Sequence, residues 1–218
     1  MQAGSKQSIT SRSDLSANRL TRVGNLIVFN DDEIAPRRGF GLHKHENVEI
    51  VSYIREGTVT HRDDQGNMGK TNAGDVQVMS AGTGIRHSEQ NDEDVPIRLF
   101  QIWLKPFLAG GIPRWGNKPF PKSYRAGAFV PLASGRNVEG AWPIRADAEV
   151  YGALLQVDTT TSYSFRKGDA GYPVPGTGEV EVNGVQVHAC EGLVIENEEL
   201  VAIKAPTDTE LVLVVATQ

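Results

Sequence analysis

No stretch of this chain carries the 3.6-residue apolar period of a helix of ordinary length. Short apolar or alternating runs recur instead, each closed by glycine, asparagine or proline. Glu49–Ile54, Gly57–Arg62, Val76–Met79 and Pro96–Leu104 read as strands in the first half. Val150–Asp158, Glu179–His188, Leu193–Glu196, Leu200–Lys204 and Glu210–Ala216 read as strands in the second. An earlier strand spans Gly24–Asn30 and gives way to a turn at Asn30-Asp31-Asp32-Glu33. Asn183-Gly184 is the favoured residue pair for a two-residue hairpin, and Asp63–Asn67 marks another reversal. Short strands with glycine corners predict an all-β fold, a barrel or a sandwich. At 218 residues the chain has room for one large β domain or two small ones.

An internal repeat favours two. Gly57-Thr58, a hairpin and Gly74-Asp75 in the first half are echoed by Gly176-Thr177, a hairpin and Gly192 in the second. Gly57 precedes Gly74 by 17 positions and Gly176 precedes Gly192 by 16. The expected organisation is a mobile, Ser-rich polar tail over residues 1–18 and an N-terminal barrel over 19–105. A connector follows over 106–149, then a C-terminal barrel over 150–218. The connector holds Pro106, Pro113, Pro119, Pro121, Pro131 and Pro143.

Two short runs carry the chemistry. His43-Lys44-His45 offers two imidazoles at i and i+2, and His87-Ser88-Glu89 offers an imidazole and a carboxylate at the same spacing. Residues two apart on a strand project from one face, so two such strands across a barrel interior converge four ligands. Three nitrogens and one oxygen suit a divalent first-row metal, with Fe, Mn, Ni, Cu, Co and Zn all open. Three of the chain's five histidines fall in these pairs. Carrying the offsets into the second half lands on Ser162, Ser164, Ala205 and Thr207, so one metal is expected, in the N-terminal barrel. Glu49 is a candidate acceptor for an imidazole N–H, or else a buried ion-pair partner. His61 is placed on the outer hairpin and His188 on a surface hairpin. Arg86 and Arg98 read as surface charges, and Phe40, Met79 and Trp103 as pocket lining or simple core.

The net charge of −5 leaves no basic footprint for direct nucleic-acid binding. The one cysteine, Cys190, excludes an internal disulfide and fits a reducing compartment. With no apolar signal core and no membrane-length run, the cytoplasm is the expected location and no membrane partner is expected.

The residues Gly39-Phe-Gly-x-His-x-His45, Glu49, Glu56-Gly57, His61-Arg62-Asp63, Gly66-Asn67, Gly74-Asp75, Ala81-Gly-x-Gly-Ile85, His87-Ser-Glu-x-Asn91 and Gln101-Ile-Trp103 together resemble the pirin family of bicupins. The resemblance implies two antiparallel cupin barrels packed face to face. It assigns the metal to His43, His45, His87 and Glu89, and it makes iron the expected ion. Some members cleave the flavonol quercetin with dioxygen, and a eukaryotic member is an iron-dependent transcriptional coregulator. Two departures stand out. The segment before the first cupin strand is a polar tail rather than an aromatic-rich one, and Lys44 replaces the usual proline between the first two histidines.

The implied function is a metal-dependent dioxygenase acting on a quercetin-like, aromatic or enolisable small molecule, with Glu89 as ligand and catalytic base. The alternative is a metal- or redox-sensing binding protein that regulates a protein partner without turnover. A monomer is expected, because two fused barrels already supply the interface that single cupins make by dimerising.

Overall fold

The structure is a computed structural model that describes residues 9–13, 23–120 and 122–218. Its first half contains β1 (Ile9–Ser13), β2 (Leu26–Ile34), β3 (Gly39–His45), β4 (Glu49–Glu56), β5 (Thr58–Asp63), β6 (Met68–Asn72), β7 (Val76–Ser80), β8 (Ile85–Gln90), β9 (Ile97–Leu104) and β10 (Arg114–Lys118). The second contains β11 (Val130–Ser134), β12 (Trp142–Pro143), β13 (Ala148–Leu155), β14 (Thr160–Ser164), β15 (Asp169–Thr177), β16 (Glu179–Val182), β17 (Val185–His188), β18 (Ile195–Glu196), β19 (Leu200–Lys204) and β20 (Thr209–Thr217). Among the described residues the one helical element is a single 3₁₀ turn, Lys122–Arg125.

Each half pairs a six-stranded sheet with a four-stranded one. The first has the orders β1-β2-β9-β4-β7-β10 and β3-β8-β5-β6. The second has β12-β11-β13-β20-β15-β18 and β14-β19-β16-β17. Matching β2, β9, β4 and β7 with β13, β20, β15 and β18 superimposes the large sheets, and the small sheets follow in the same order. The repeat is therefore topological. Its glycine anchor moves by two residues, because Gly57 (φ 75°) and Gly178 (φ 68°) occupy equivalent strand-to-strand corners. At Gly178 a Cβ would lie 2.4 Å from the Asp208 carbonyl oxygen, so only glycine fits both the conformation and the space.

The largest core lies between the two six-stranded sheets. Phe29, Val51, Tyr53, Phe100 and Ile102 from the first half meet Val150, Tyr172, Val174, Val212 and Val214 from the second. On β20 alternate residues face opposite ways: Val212 and Val214 enter this shared core, while Leu211, Leu213 and Val215 fill the second barrel. On β4, Val51 and Tyr53 face the shared core, while Ile50 and Ile54 face the first barrel. Strands buried on both faces read as continuous apolar runs rather than alternating ones. This is why Glu49–Ile54 and Glu210–Ala216 look alike in sequence.

Three expectations change. The acidic run Asn30–Glu33 is not a turn but the middle of β2. Its charges have partners that let it stay extended: Asp31 pairs with Arg55, and Glu33 meets Arg98 at 3.1 Å across the sheet. The 106–149 segment is divided between the halves, since β10 pairs with β7 while β11 pairs with β13. Within the predicted mobile tail, Ile9–Ser13 forms a strand antiparallel to β2; residues 1–8 and 14–18 lie outside the described residues.

Candidate metal centre

The site forms where β3 and β8 pair. His43 stands directly opposite His87, with a register irregularity between Phe40 and His43. His45 follows on the same face, and the three rings pack with centroids 4.4 to 5.0 Å apart. One nitrogen of each of His43, His45 and His87 lies within 4.8 Å of the others. Donors about 2.0–2.2 Å from one central ion sit about 3–4 Å apart, so the set is compact enough to hold one. His43 Nδ1 lies 2.7 Å from the Gly41 carbonyl oxygen. A carbonyl only accepts, so Nδ1 carries the proton and Nε2 keeps a lone pair. His87 Nε2 is buried with no hydrogen-bond partner. A buried imidazole nitrogen without a hydrogen-bond partner, beside two other imidazoles, has its lone pair free to bind a metal. The residues present therefore fit a divalent metal.

Glu89 lies deeper. It is 2% exposed, and its carboxylate groups with His87 and His61 rather than with all three rim histidines. Gln101 Nε2 donates to Oε2 at 2.9 Å, and Gln77 Nε2 donates to Oε1. Burial, with the charge of Asp32 adding, pushes its carboxyl up to about 7, against the pull of the two amide bonds.

His61 is the residue the sequence misplaces. It is 1% exposed and lies inside the barrel, paired with Glu89 across β5 and β8. Its Nδ1 is 3.4 Å from His87 Nδ1, and its Nε2 is 3.0 Å from Asp63 Oδ2. Its ring stacks on Trp115 of β10, with centroids 4.4 Å apart and planes 5° from parallel. A signal was available: Val59, His61 and Asp63 share one face of β5, and Val59 is plainly an inward residue.

The remaining candidates separate cleanly. Glu49 touches no imidazole; its Oε2 accepts from Ser80 Oγ at 2.7 Å and from the Arg145 backbone N–H at 3.0 Å. Trp103 meets the His45 ring edge-on at 4.9 Å, and Phe40 lies 6.4 Å from His43. Met79 belongs to the core under the site, with Ile50 and Ile85. His188 is exposed and pairs with Glu179, Arg98 is exposed between Glu33 and Glu56, and Arg86 is exposed. Lys44 is solvated and joined to Glu46 at 2.6 Å.

Register also decides what stands in the second barrel. Tyr163 pairs with Val201 as His43 pairs with His87, and Val182 pairs with Ile203 as His61 pairs with Glu89. The equivalents of His43, His87 and Glu89 are thus Tyr163, Val201 and Ile203, not the residues reached by counting offsets. All three belong to or pack against that barrel's apolar core.

Burial lowers His45 to about 4 and His87 to about 3, with neighbouring imidazoles adding to the effect. Both rings are neutral near pH 7, the form that binds a metal. A neutral-in-fold histidine contributes stability that is complete above its unfolded pKa of about 6.5 and lost as pH falls through the folded value. Glu89 works oppositely, its contribution being lost as pH rises from about 4.5 through 7. Between these limits two histidines outweigh one carboxyl. Metal-free protein should therefore melt at lower temperature as pH drops from 6.5 to 4.5, and a flat or rising melting profile would contradict this.

Residues 4–104 match the family described as Pirin, and residues 131–214 match the Quercetinase C-terminal cupin domain. A pirin-like protein of Caulobacter vibrioides is 54% identical over 88% of this chain and 83% of its own length. A quercetin 2,3-dioxygenase of Escherichia coli is 36% identical over 86% of this chain and 80% of its own. The crystal structure of the bacterial pirin YhhW of Escherichia coli in complex with nickel(II) superimposes with a TM-score of 0.88. It is 32% identical and covers 96% of this chain and 92% of that one. Two equivalent barrels, a rim of three imidazoles over a buried carboxylate and relatives this similar agree: the chain is a bicupin of the pirin family.

Proposed function

We propose that this protein is a metal-dependent dioxygenase acting on a flavonol-like substrate, with the metal held by His43, His45, His87 and Glu89. The observation that carries the reading is the convergence of three imidazoles, one with a buried nitrogen that has no partner, beside a buried carboxylate. A nickel-bound pirin among its structural relatives supports a divalent ion, and iron is the ion proposed here. Such an ion, when bound, supplies the activation of dioxygen and of an enolic hydroxyl that side chains alone cannot.

The chain's own residues supply the rest. His43 and His45 are partly exposed while His87 and Glu89 are buried, so the substrate enters from the β3 side. Exposed apolar side chains lie near that entrance. Leu42 is exposed on β3, and the loop carrying exposed Phe107, Leu108 and Ile112 is tied to the turn after His45 through Gly110 N–H to Asn47 Oδ1 at 2.6 Å. An aromatic ring system suits such a rim. Glu89 is the carboxylate placed to take the substrate's hydroxyl proton, and Gln77 and Gln101 keep it aimed.

The reading is tested by elemental analysis of protein purified without added metal, followed by oxygen uptake with quercetin. About one equivalent of a redox metal and quercetin-dependent oxygen consumption are expected, both lost in His43→Ala. A protein that binds metal but consumes no oxygen with any flavonol would be a sensor rather than an enzyme. Retention of no metal after reconstitution would remove both readings.

A further inference from the structure

We propose that Asp63 and His61 form a positioning relay behind His87, fixing which of its nitrogens is free to bind; this rests on the metal-site reading above. Asp63 is held first. Its Oδ1 accepts the backbone N–H groups of Gln65 at 3.0 Å and Asn67 at 2.9 Å, and its Oδ2 accepts Asn67 Nδ2 at 2.9 Å. The hairpin turn thus locks the carboxylate, whose side chain is fully buried.

The proton positions then follow one from another. A carboxylate only accepts, so the 3.0 Å contact places a proton on His61 Nε2. A neutral imidazole carries one N–H, so His61 Nδ1 is an acceptor. His87 Nδ1, 3.4 Å away, must therefore be the donor. That leaves the lone pair of His87 on Nε2, the buried atom without a partner, on the ring that packs against those of His43 and His45. Three residues on two strands transmit one choice of tautomer. Carboxylate–histidine partners of metal ligands work in this way, with one further imidazole inserted here.

The ring plane of His61 is held too. It stacks on Trp115, and Trp115 can lie there because position 69, opposite His61 on β6, is glycine. A Cβ on Gly69 would sit 2.5 Å from the Trp115 ring. His61 is thus gripped at its edge by Asp63 and on its face by Trp115, a degree of fixation that an ordinary core histidine does not need.

Two measurements test the relay without any assay of turnover. In long-range proton–nitrogen correlation spectra of the zinc-loaded wild type, His61 should appear as the Nε2–H tautomer and His87 as Nδ1–H. The opposite assignment for either ring overturns the proposal. Metal affinity is then measured by chelator competition in His61→Ala and His61→Gln. The alanine variant should bind about 10–100-fold more weakly at unchanged stoichiometry. The glutamine variant should recover much of that loss, because its amide oxygen can accept the His87 proton. Unchanged affinity in His61→Ala overturns the relay. Loss of stoichiometric binding in both variants, as in His87→Ala, would make His61 a ligand instead. A wild type that binds no zinc would overturn the metal-site reading itself, a result distinct from either variant outcome. Should His61→Ala fail to fold, the wild-type spectra decide alone.

Discussion

His87→Ala is expected to bring bound divalent metal from about one equivalent to background and to abolish flavonol-dependent oxygen uptake. His87 is the hinge of the site. It stands opposite His43 in register, packs against His45, shares its face of β8 with Glu89 and contacts His61 behind. Removing an outer partner of a ligand costs about 10–100-fold in metal affinity. Removing the most deeply buried of the three clustered rings should cost more, because no water-exposed side chain can swing in to replace it. His188→Ala is the matched control, since His188 lies on an exposed hairpin paired with Glu179. It should leave metal content and activity unchanged. Full metal content in His87→Ala would show that the convergence of imidazoles is not the binding site. Equal loss in both variants would point to global instability rather than to the site.

Arg125→Ala is expected to be the most destabilising single truncation in the connector. Arg125 is 1% exposed, and its guanidinium is spent on interior acceptors. Nη1 donates to the Tyr53 hydroxyl at 2.8 Å, and Nη2 donates to the Gly74 carbonyl at 3.0 Å and the Phe120 carbonyl at 2.9 Å. Tyr53 in turn donates to the buried carboxylate of Glu210 on β20. One side chain of the connector therefore ties β4 and the β6–β7 turn of the first barrel to the last strand of the second. Deleting it leaves two carbonyls without a donor and weakens the compensation of a buried carboxylate. The expected cost is about 3–5 kcal/mol. For a chain of this size that corresponds to a fall in Tm of about 6–20 °C. A denaturant titration showing a change below about 1 kcal/mol would mean that water replaces the guanidinium at this junction. Metal stoichiometry in the folded fraction should stay near one, because Arg125 lies across β4 from the histidines.

The two residues mark the division between what local pattern reveals and what it hides. The placing of His43 beside His45 and of His87 beside Glu89 was legible because strand geometry is local: a spacing of two places side chains on one face whatever the rest of the chain does. The all-β class, the Asn183-Gly184 hairpin and the absence of ordinary helices among the described residues were legible for the same reason. Even the exclusion of ligand residues from corresponding strands of the second half needed only residue types, although register replaced the counted serines with Tyr163 and Phe165.

His61, Arg125 and the acidic middle of β2 were not legible, because their roles depend on partners far away in the chain. His61 is inside because β5 pairs with β8 and because Trp115, 54 positions later, closes over it. Asn30–Glu33 has the composition of a turn, and only the basic groups of Arg55 and Arg98 across the sheet let it remain a strand. Gln77 and Gln101 looked like ordinary strand residues until the six-stranded sheet that carries both brought their amides to Glu89 on the four-stranded sheet. Which side chains share a face follows from spacing along each strand. How those ligands are oriented, which carboxylate is held near neutrality and what joins the barrels are set by contacts across strands, where long-range packing overrides local preference.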